Sequence, residues 1–253
     1  MLYSHRTAAS KRRAFREALA GPDILRLPGA FNPLSATLIQ DKGFDGVYVS
    51  GAVLSADLGL PDIGLTTLTE VAGRAGQIAR VTDLPVLADA DTGFGEPMNV
   101  ARTVQTMEDA GVAGIHIEDQ VNPKRCGHLD GKEVVGLGDA VRRIRAAVDG
   151  RRDPDFLIMA RTDVRGTEPG ERGLKLAIDR AKALADAGAR LVIYPVTLLR
   201  IAMGAAERAL DQIAASGTQD ALVPEMQTRS RLYELTDYAA YNHFDSNVFT
   251  YKP

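Results

Sequence analysis

Glu108–Asp119 reads EDAGVAGIHIED, and Ala185–Val196 reads ADAGARLVIYPV. Both place a D-A-G joint between a helical pattern and a short apolar run. A glycine suits the left-handed backbone that ends a helix, after which the chain can turn at once into a strand. A joint that recurs in this way marks a repeated βα unit. The expected fold class is therefore α/β, a (β/α) barrel of TIM type.

Working outward, apolar segments of strand length fall at Ile24–Pro28, Gly46–Ser50, Pro85–Ala88, Gly114–Ile117, Phe156–Ala160 and Arg190–Tyr194. Helical patterns lie between them at Pro33–Asp41, Leu68–Val81, Met98–Ala110, Gly136–Asp149 and Arg172–Ala187. Short strands alternating with helices of ten or more residues imply a parallel sheet. The basic leader SHRTAASKRRAFREALAG outwardly resembles a transit peptide. Phe15, Leu19 and Ile24 at helix-like spacings, closed by Gly21-Pro22, read instead as an amphipathic helix. Residues 198–241 read as helices, and residues 242–253 as an arm. No linker divides the chain, so one barrel domain over 1–253 with a helical extension over 198–253 is expected.

Composition narrows the function. The chain of 253 residues is 45% hydrophobic and 25% charged, ordinary values for a globular protein. Its net charge of -3 gives no basic stripe for nucleic acid, and no apolar run is long enough for a membrane span. A single cysteine excludes an internal disulfide framework and fits a reducing, cytoplasmic setting.

That cysteine, Cys126, sits in VNPKRCGHLDGK, Val121–Lys132, beside Lys124, Arg125 and His128. Neighbouring positive charge favours a thiolate, so the thiol is expected to titrate low and take part in chemistry. Asp89 and Asp91 in ADADTGFG alternate at a strand end, which predicts that both face one way. With Glu118 and Asp119 ending the next strand, they make a hard-oxygen platform suited to Mg²⁺. Their structural alternative is loop capping. Ser50, Gly51 and Ala52 can bring backbone N–H groups close to an anion, and Asp62 is either a contact or a turn residue. Arg161, at the end of IMAR, is either a carboxylate clamp or a partner of the acidic loops.

KRCGH, DADTGFG, SGAVLSADLGLPD and EMQTRSRLYEL together resemble the isocitrate lyase/phosphoenolpyruvate mutase superfamily on its methylisocitrate lyase branch, from about Leu27 to Tyr241. The resemblance implies a retro-aldol cleavage of a tricarboxylate, 2-methylisocitrate, to pyruvate and succinate, within propionate catabolism by the methylcitrate cycle. It implies Mg²⁺, with Mn²⁺ as the alternative ion, on Asp89 and Asp91, with Glu118 acting through water. Ser50, Gly51, Ala52 and Asp62 would face the pyruvate half, Arg161 would clamp a carboxylate, and Tyr48 would help take the hydroxyl proton. Cys126 would protonate the departing succinate carbanion, with His128 beside it and Lys124, Arg125 and Gly127 as substrate contacts. A homo-oligomer, a tetramer whose helical extension packs on another subunit, is also implied.

One departure stands out. The resemblance calls for two further βα units between the fifth helix and the last barrel strand, and ADAGARLVIYPV runs straight through that point. The expectation is an incomplete or rearranged barrel with a weakened hold on the succinate half and impaired activity. The competing expectations are cleavage of isocitrate or 2,3-dimethylmalate, or a non-catalytic barrel remnant acting in assembly.

Overall fold

A computed structural model describes residues 3–127, 131–168 and 170–191, together with residues 211, 215, 231, 234 and 235. Five parallel strands, β1 (Val47–Val49), β2 (Val86–Asp89), β3 (Gly114–Glu118), β4 (Leu157–Arg161) and β5 (Arg190–Leu191), lie side by side in chain order. A parallel bridge from Gly29 to Tyr48 lays the segment before them against β1. That bridge is shorter than the strand expected over Ile24–Pro28. Strands that neighbour one another in sequence order and are joined by helices make the wall of a (β/α) barrel.

The helices are α1 (Ala8–Ala20), α2 (Pro33–Asp41), α3 (Gly51–Asp57), α4 (Leu68–Val81), α5 (Pro97–Asp109), α6 (Leu137–Gly150) and α7 (Gly170–Asp186). Local chemistry sets their ends. Asn32 and Ser35 cap α2 reciprocally with Pro33 in its first turn, and Thr67 and Glu70 form the same box on α4. Both D-A-G joints turn on a left-handed glycine, with φ of 82° at Gly111 and 99° at Gly188. The short α3 falls where sequence reading places a loop. Apart from residues 211, 215, 231, 234 and 235, the expected helices over 198–241, the arm and most of the expected sixth strand lie outside the described residues.

Strands β1 to β4 bury both faces. Val47, Val49, Val86, Ala88, Ile115, Ile117, Ile158 and Ala160 pack outward with the helices. Tyr48, Leu87, Leu157 and Met159 join Phe15 and Ala113 in a separate inner cluster. The basic leader is therefore a structural helix that brings Phe15, 1% exposed, to this inner cluster. Two buried cations fasten α1 in place. Lys11 Nζ donates to the carbonyls of Ala79 and Thr82, and Arg12 to those of Glu108 and Val112 and to the Asp153 carboxylate. These carbonyls lie at or just beyond the ends of α4 and α5, where a helix offers acceptors to outside donors. Ile24 does not belong to this face, because it lies beyond α1 and is 90% exposed.

Candidate active site

Strand alternation turns His116 and Glu118 of β3 away from the helices, to the same side as the inner cluster. Register then pairs Asp89 of β2 with His116, and Glu118 with Arg161 of β4. Four candidate side chains thus meet at the C-terminal strand ends, where barrels of this kind carry their chemistry. Asp91 joins them by another route than the one expected. It lies beyond β2 with a φ of 47°, and its N–H donates to Asp89 Oδ1 at 2.9 Å. A left-handed turn, and not strand alternation, brings the two carboxylates together.

Gly51 marks how close they are. A Cβ on it would lie 3.0 Å from Asp89 Oδ2 and 3.2 Å from Asp91 Oδ1. Its N–H donates to Asp89 Oδ2, and the Ser50 hydroxyl accepts from Val53 as the cap of α3. The expected N–H array over Ser50, Gly51 and Ala52 is therefore partly spent on holding the aspartate. Tyr48 Oη lies 2.5 Å from His116 Nε2 and 3.4 Å from Asp89 Oδ2. Thr66 Oγ1 donates to Asp91 Oδ2, while Lys124 Nζ sits 2.7 Å from Asp91 Oδ1 and also pairs with Asp62. Arg161 reaches Glu118 Oε2 at 3.3 Å and Asp163 Oδ1 at 2.9 Å, so it pairs with the acids around it.

Burial and crowding separate these carboxylates. Burial raises Glu118 to about 9 and Asp91 to about 6, and in each case the charge on Asp89 pushes the same way. Burial also opposes ionisation of Asp89, yet His116, Lys124 and the Asp91 amide hold it below its ordinary range. Lys124 and Arg161 are both raised, because the surrounding carboxylates outweigh their desolvation. Tyr48 is raised well above 10.0 by burial and by Asp89, so its phenol is a donor here and not a ready base.

The cysteine loop projects from the end of β3. Its neck is zipped by Val121 to Glu133, by Val135 to Asp119, and by an antiparallel bridge between Gln120 and Val134. Asp62 holds the loop twice, its carbonyl accepting from the Cys126 N–H at 3.0 Å and its carboxylate pairing with Lys124, and Lys124 carries the link on to Asp91. Gly127 packs against Arg161 so closely that a Cβ would fall 1.7 Å from the guanidinium. Close approach, more than flexibility, explains that glycine. Arg125 is exposed, and its backbone, not its side chain, is held in place. His128 lies outside the described residues. The residues that sequence reading missed are His116, Thr66, Gln120 and Asp163. His116 had a signal, since it shares strand parity with Glu118.

Among the described residues no three His, Cys, Asp or Glu groups converge as a complete metal cage. Glu118 Oε1 is nevertheless a buried oxygen that no hydrogen bond satisfies, and Asp91 Oδ1 is held by Lys124 Nζ alone. Two adjacent carboxylates beside a buried, unsatisfied Glu118 oxygen suit Mg²⁺, which takes few protein ligands and keeps water for the rest.

A parallel β/α wall with buried acids and a cysteine loop at its strand ends defines an α/β-barrel enzyme. The profile of the phosphoenolpyruvate phosphomutase family matches residues 15–221. A Corynebacterium glutamicum protein named "Probable 2-methylisocitrate lyase 2" is 57% identical, with 99% of this chain and 96% of that protein covered. That alignment runs over 299 residues against a chain of 253, so at least 46 of its positions face gaps here (299 − 253). Among solved structures, a 2,3-dimethylmalate lyase is 32% identical with a TM-score of 0.82, covering 96% of each chain. A phosphonopyruvate hydrolase in complex with oxalate and Mg²⁺ is 25% identical with a TM-score of 0.84, covering 93% of this chain and 98% of its own. The chain belongs to the phosphoenolpyruvate mutase/isocitrate lyase superfamily.

Proposed function

We propose that the chain is a carbon–carbon lyase that cleaves 2-methylisocitrate to pyruvate and succinate. The observation that carries this reading is the continuous link from Asp91 through Lys124 and Asp62 to the backbone of Cys126. It joins an acidic platform to a sulfur donor, as a retro-aldol cleavage requires. The match to a lyase of that name supports the substrate, and a non-catalytic remnant is not favoured.

Asp89 and Asp91 would hold Mg²⁺, with Glu118 acting through water, and the ion would offset charge growing on the 2-oxyacid oxygens. The hydrolase complex with Mg²⁺ supports a divalent ion, and Mn²⁺ is the alternative. The chain supplies the remaining parts. Lys124 and Arg161 bring buried positive charge to the carboxylates of a tricarboxylate substrate. Ser50, Gly51 and Ala52 shape the wall beside Asp89, where only a small residue fits. Tyr48, held by His116, keeps its proton and donates toward the platform. Cleavage leaves a strongly basic carbanion on the succinate half, and the Cys126 thiol would protonate it. In the same proposal His128 assists Cys126, and Arg125 and Gly127 contact the substrate. Water must be excluded at that moment, and a loop zipped at its neck can cover the site.

The same reading places the enzyme in the cytoplasm as a homo-oligomer, a tetramer, with residues 198–253 packing on another subunit. Among the described residues no helix is long and apolar enough to cross a membrane. The test is pyruvate release from 2-methylisocitrate, isocitrate and 2,3-dimethylmalate by wild type and Cys126→Ser. Cleavage of the first acid, abolished in the variant, is expected. Preference for another acid would reassign the substrate, and an unaffected variant would remove Cys126 from the mechanism.

A further inference from the structure

Gln120 is almost fully buried, at 1% exposure, at the neck of the cysteine loop. Its side chain grips the backbone of Arg125, the residue before Cys126, on both sides. Oε1 accepts from the Arg125 N–H at 2.8 Å, and Nε2 donates to the Arg125 carbonyl at 2.9 Å. The amide thus imitates a paired strand, taking one residue's donor and acceptor together. The second Nε2 hydrogen goes to Asp163 Oδ2 at 2.8 Å. The other oxygen of Asp163 accepts from Arg161 at 2.9 Å, and its own N–H donates to Asp119. The backbone of Gln120 is fixed as well, through its bridge to Val134 and a hydrogen bond from Arg143 to its carbonyl.

This arrangement permits only one side chain. Reversing the amide would set its oxygen against the Asp163 carboxylate and the Arg125 carbonyl, and its NH₂ against an N–H. A glutamate would meet the same two repulsions. From this geometry we infer that Gln120 is a positioning residue for the reaction: with Asp163 it sets the Cys126 loop in register with Arg161. One aspartate orients both the arginine that meets the substrate carboxylate and the amide that holds the loop carrying the proton donor. The close packing of Gly127 on Arg161 fits the same register. The inference rests on the lyase reading for its kinetic part only.

The test uses the full chain with Mg²⁺ and two variants of matched size, Gln120→Met and Gln120→Glu. A misplaced donor should lower kcat about tenfold to a hundredfold, with KM within about threefold of wild type. A residue that only stabilises the fold would not produce that split. Trypsin can cut after Lys124 and Arg125, and releasing the grip should speed nicking there about tenfold in native buffer. Normal kcat or unchanged nicking in a folded variant would overturn the inference. If wild type releases no pyruvate, the lyase reading fails while the nicking still decides the grip. If neither variant folds, hydrogen exchange of the wild-type Arg125 amide decides: protection supports the grip, and exchange at the rate of an open peptide overturns it.

Discussion

Lys124 Nζ lies 2.7 Å from Asp91 Oδ1 and pairs on its other side with Asp62, in a side chain only 3% exposed. One ammonium therefore neutralises two loops that approach from different strands. Lys124→Met would leave both carboxylates without that partner, which should destabilise the fold by about 3 kcal/mol. For a chain of this size that is a fall in Tm of roughly 10 °C. Added Mg²⁺ should restore more of that loss in the variant than it adds to wild type. Thermal unfolding of both proteins with and without Mg²⁺ checks this, and an unchanged Tm would show that the lysine is dispensable to the platform.

Stripping divalent ions should silence the enzyme. Pyruvate release should vanish after treatment with a chelator and return with Mg²⁺, and with Mn²⁺ as the alternative ion. Asp89→Asn should stay inactive at any Mg²⁺ concentration, because Asp89 is the acid held most firmly ionised in the cluster. Activity in a thoroughly chelated sample would remove the ion from the reaction.

Gly127→Ala is predicted to act through Arg161. The added methyl would have to displace a guanidinium that two carboxylates hold. Activity should fall about tenfold or more through misplacement of the loop. Tm should change little, since the loop is peripheral to the core. Kinetics and melting on the same preparation separate the two effects.

The anchors of the N-terminal segment predict an acid limb of stability. Burial disfavours the Asp83 charge, but Ser4 and the amides of His5 and Arg6 outweigh it and lower its pKa from 3.8. Asp153 is lowered in the same way, with Arg12 and the Asp155 amide winning over burial. A carboxyl depressed in the folded state contributes fully above its unfolded value and loses that contribution as pH falls through the folded one. The stability advantage of wild type over Asp83→Asn and Asp153→Asn should therefore be constant above about pH 5 and shrink below pH 4. Urea midpoints from pH 7 to pH 3 read this directly.

The repeat was legible because its cause is local. A glycine at φ 82° or 99° leaves the same trace in sequence wherever a helix must turn into a strand. Helices α2 and α4 were readable to the residue for a similar reason, since Asn32, Pro33 and Thr67 announce their starts. The acids of the platform were legible as residue types, although Asp91 arrives by a turn that a strand pattern does not foresee. His116, Gln120 and Asp163 were not read, because their roles come from partners that only the fold brings near. Gln120 and Asp163 are 43 residues apart, and no periodicity connects them. Arg161 shows the same limit: its sequence position leaves a carboxylate clamp and a partner of the acidic loops equally open, and the register of β3 and β4 gives it Glu118.

Helix α1 precedes every group that fastens it. Lys11 waits for carbonyls 68 and 71 residues downstream, and Arg12 for a carboxylate 141 residues on. During translation this cationic helix must therefore stay unpartnered for on the order of ten seconds while its acceptors are still being made. The inner cluster is thus completed by a segment that leaves the ribosome early but docks late, so a stall before Asp153 would leave Phe15 undocked from it.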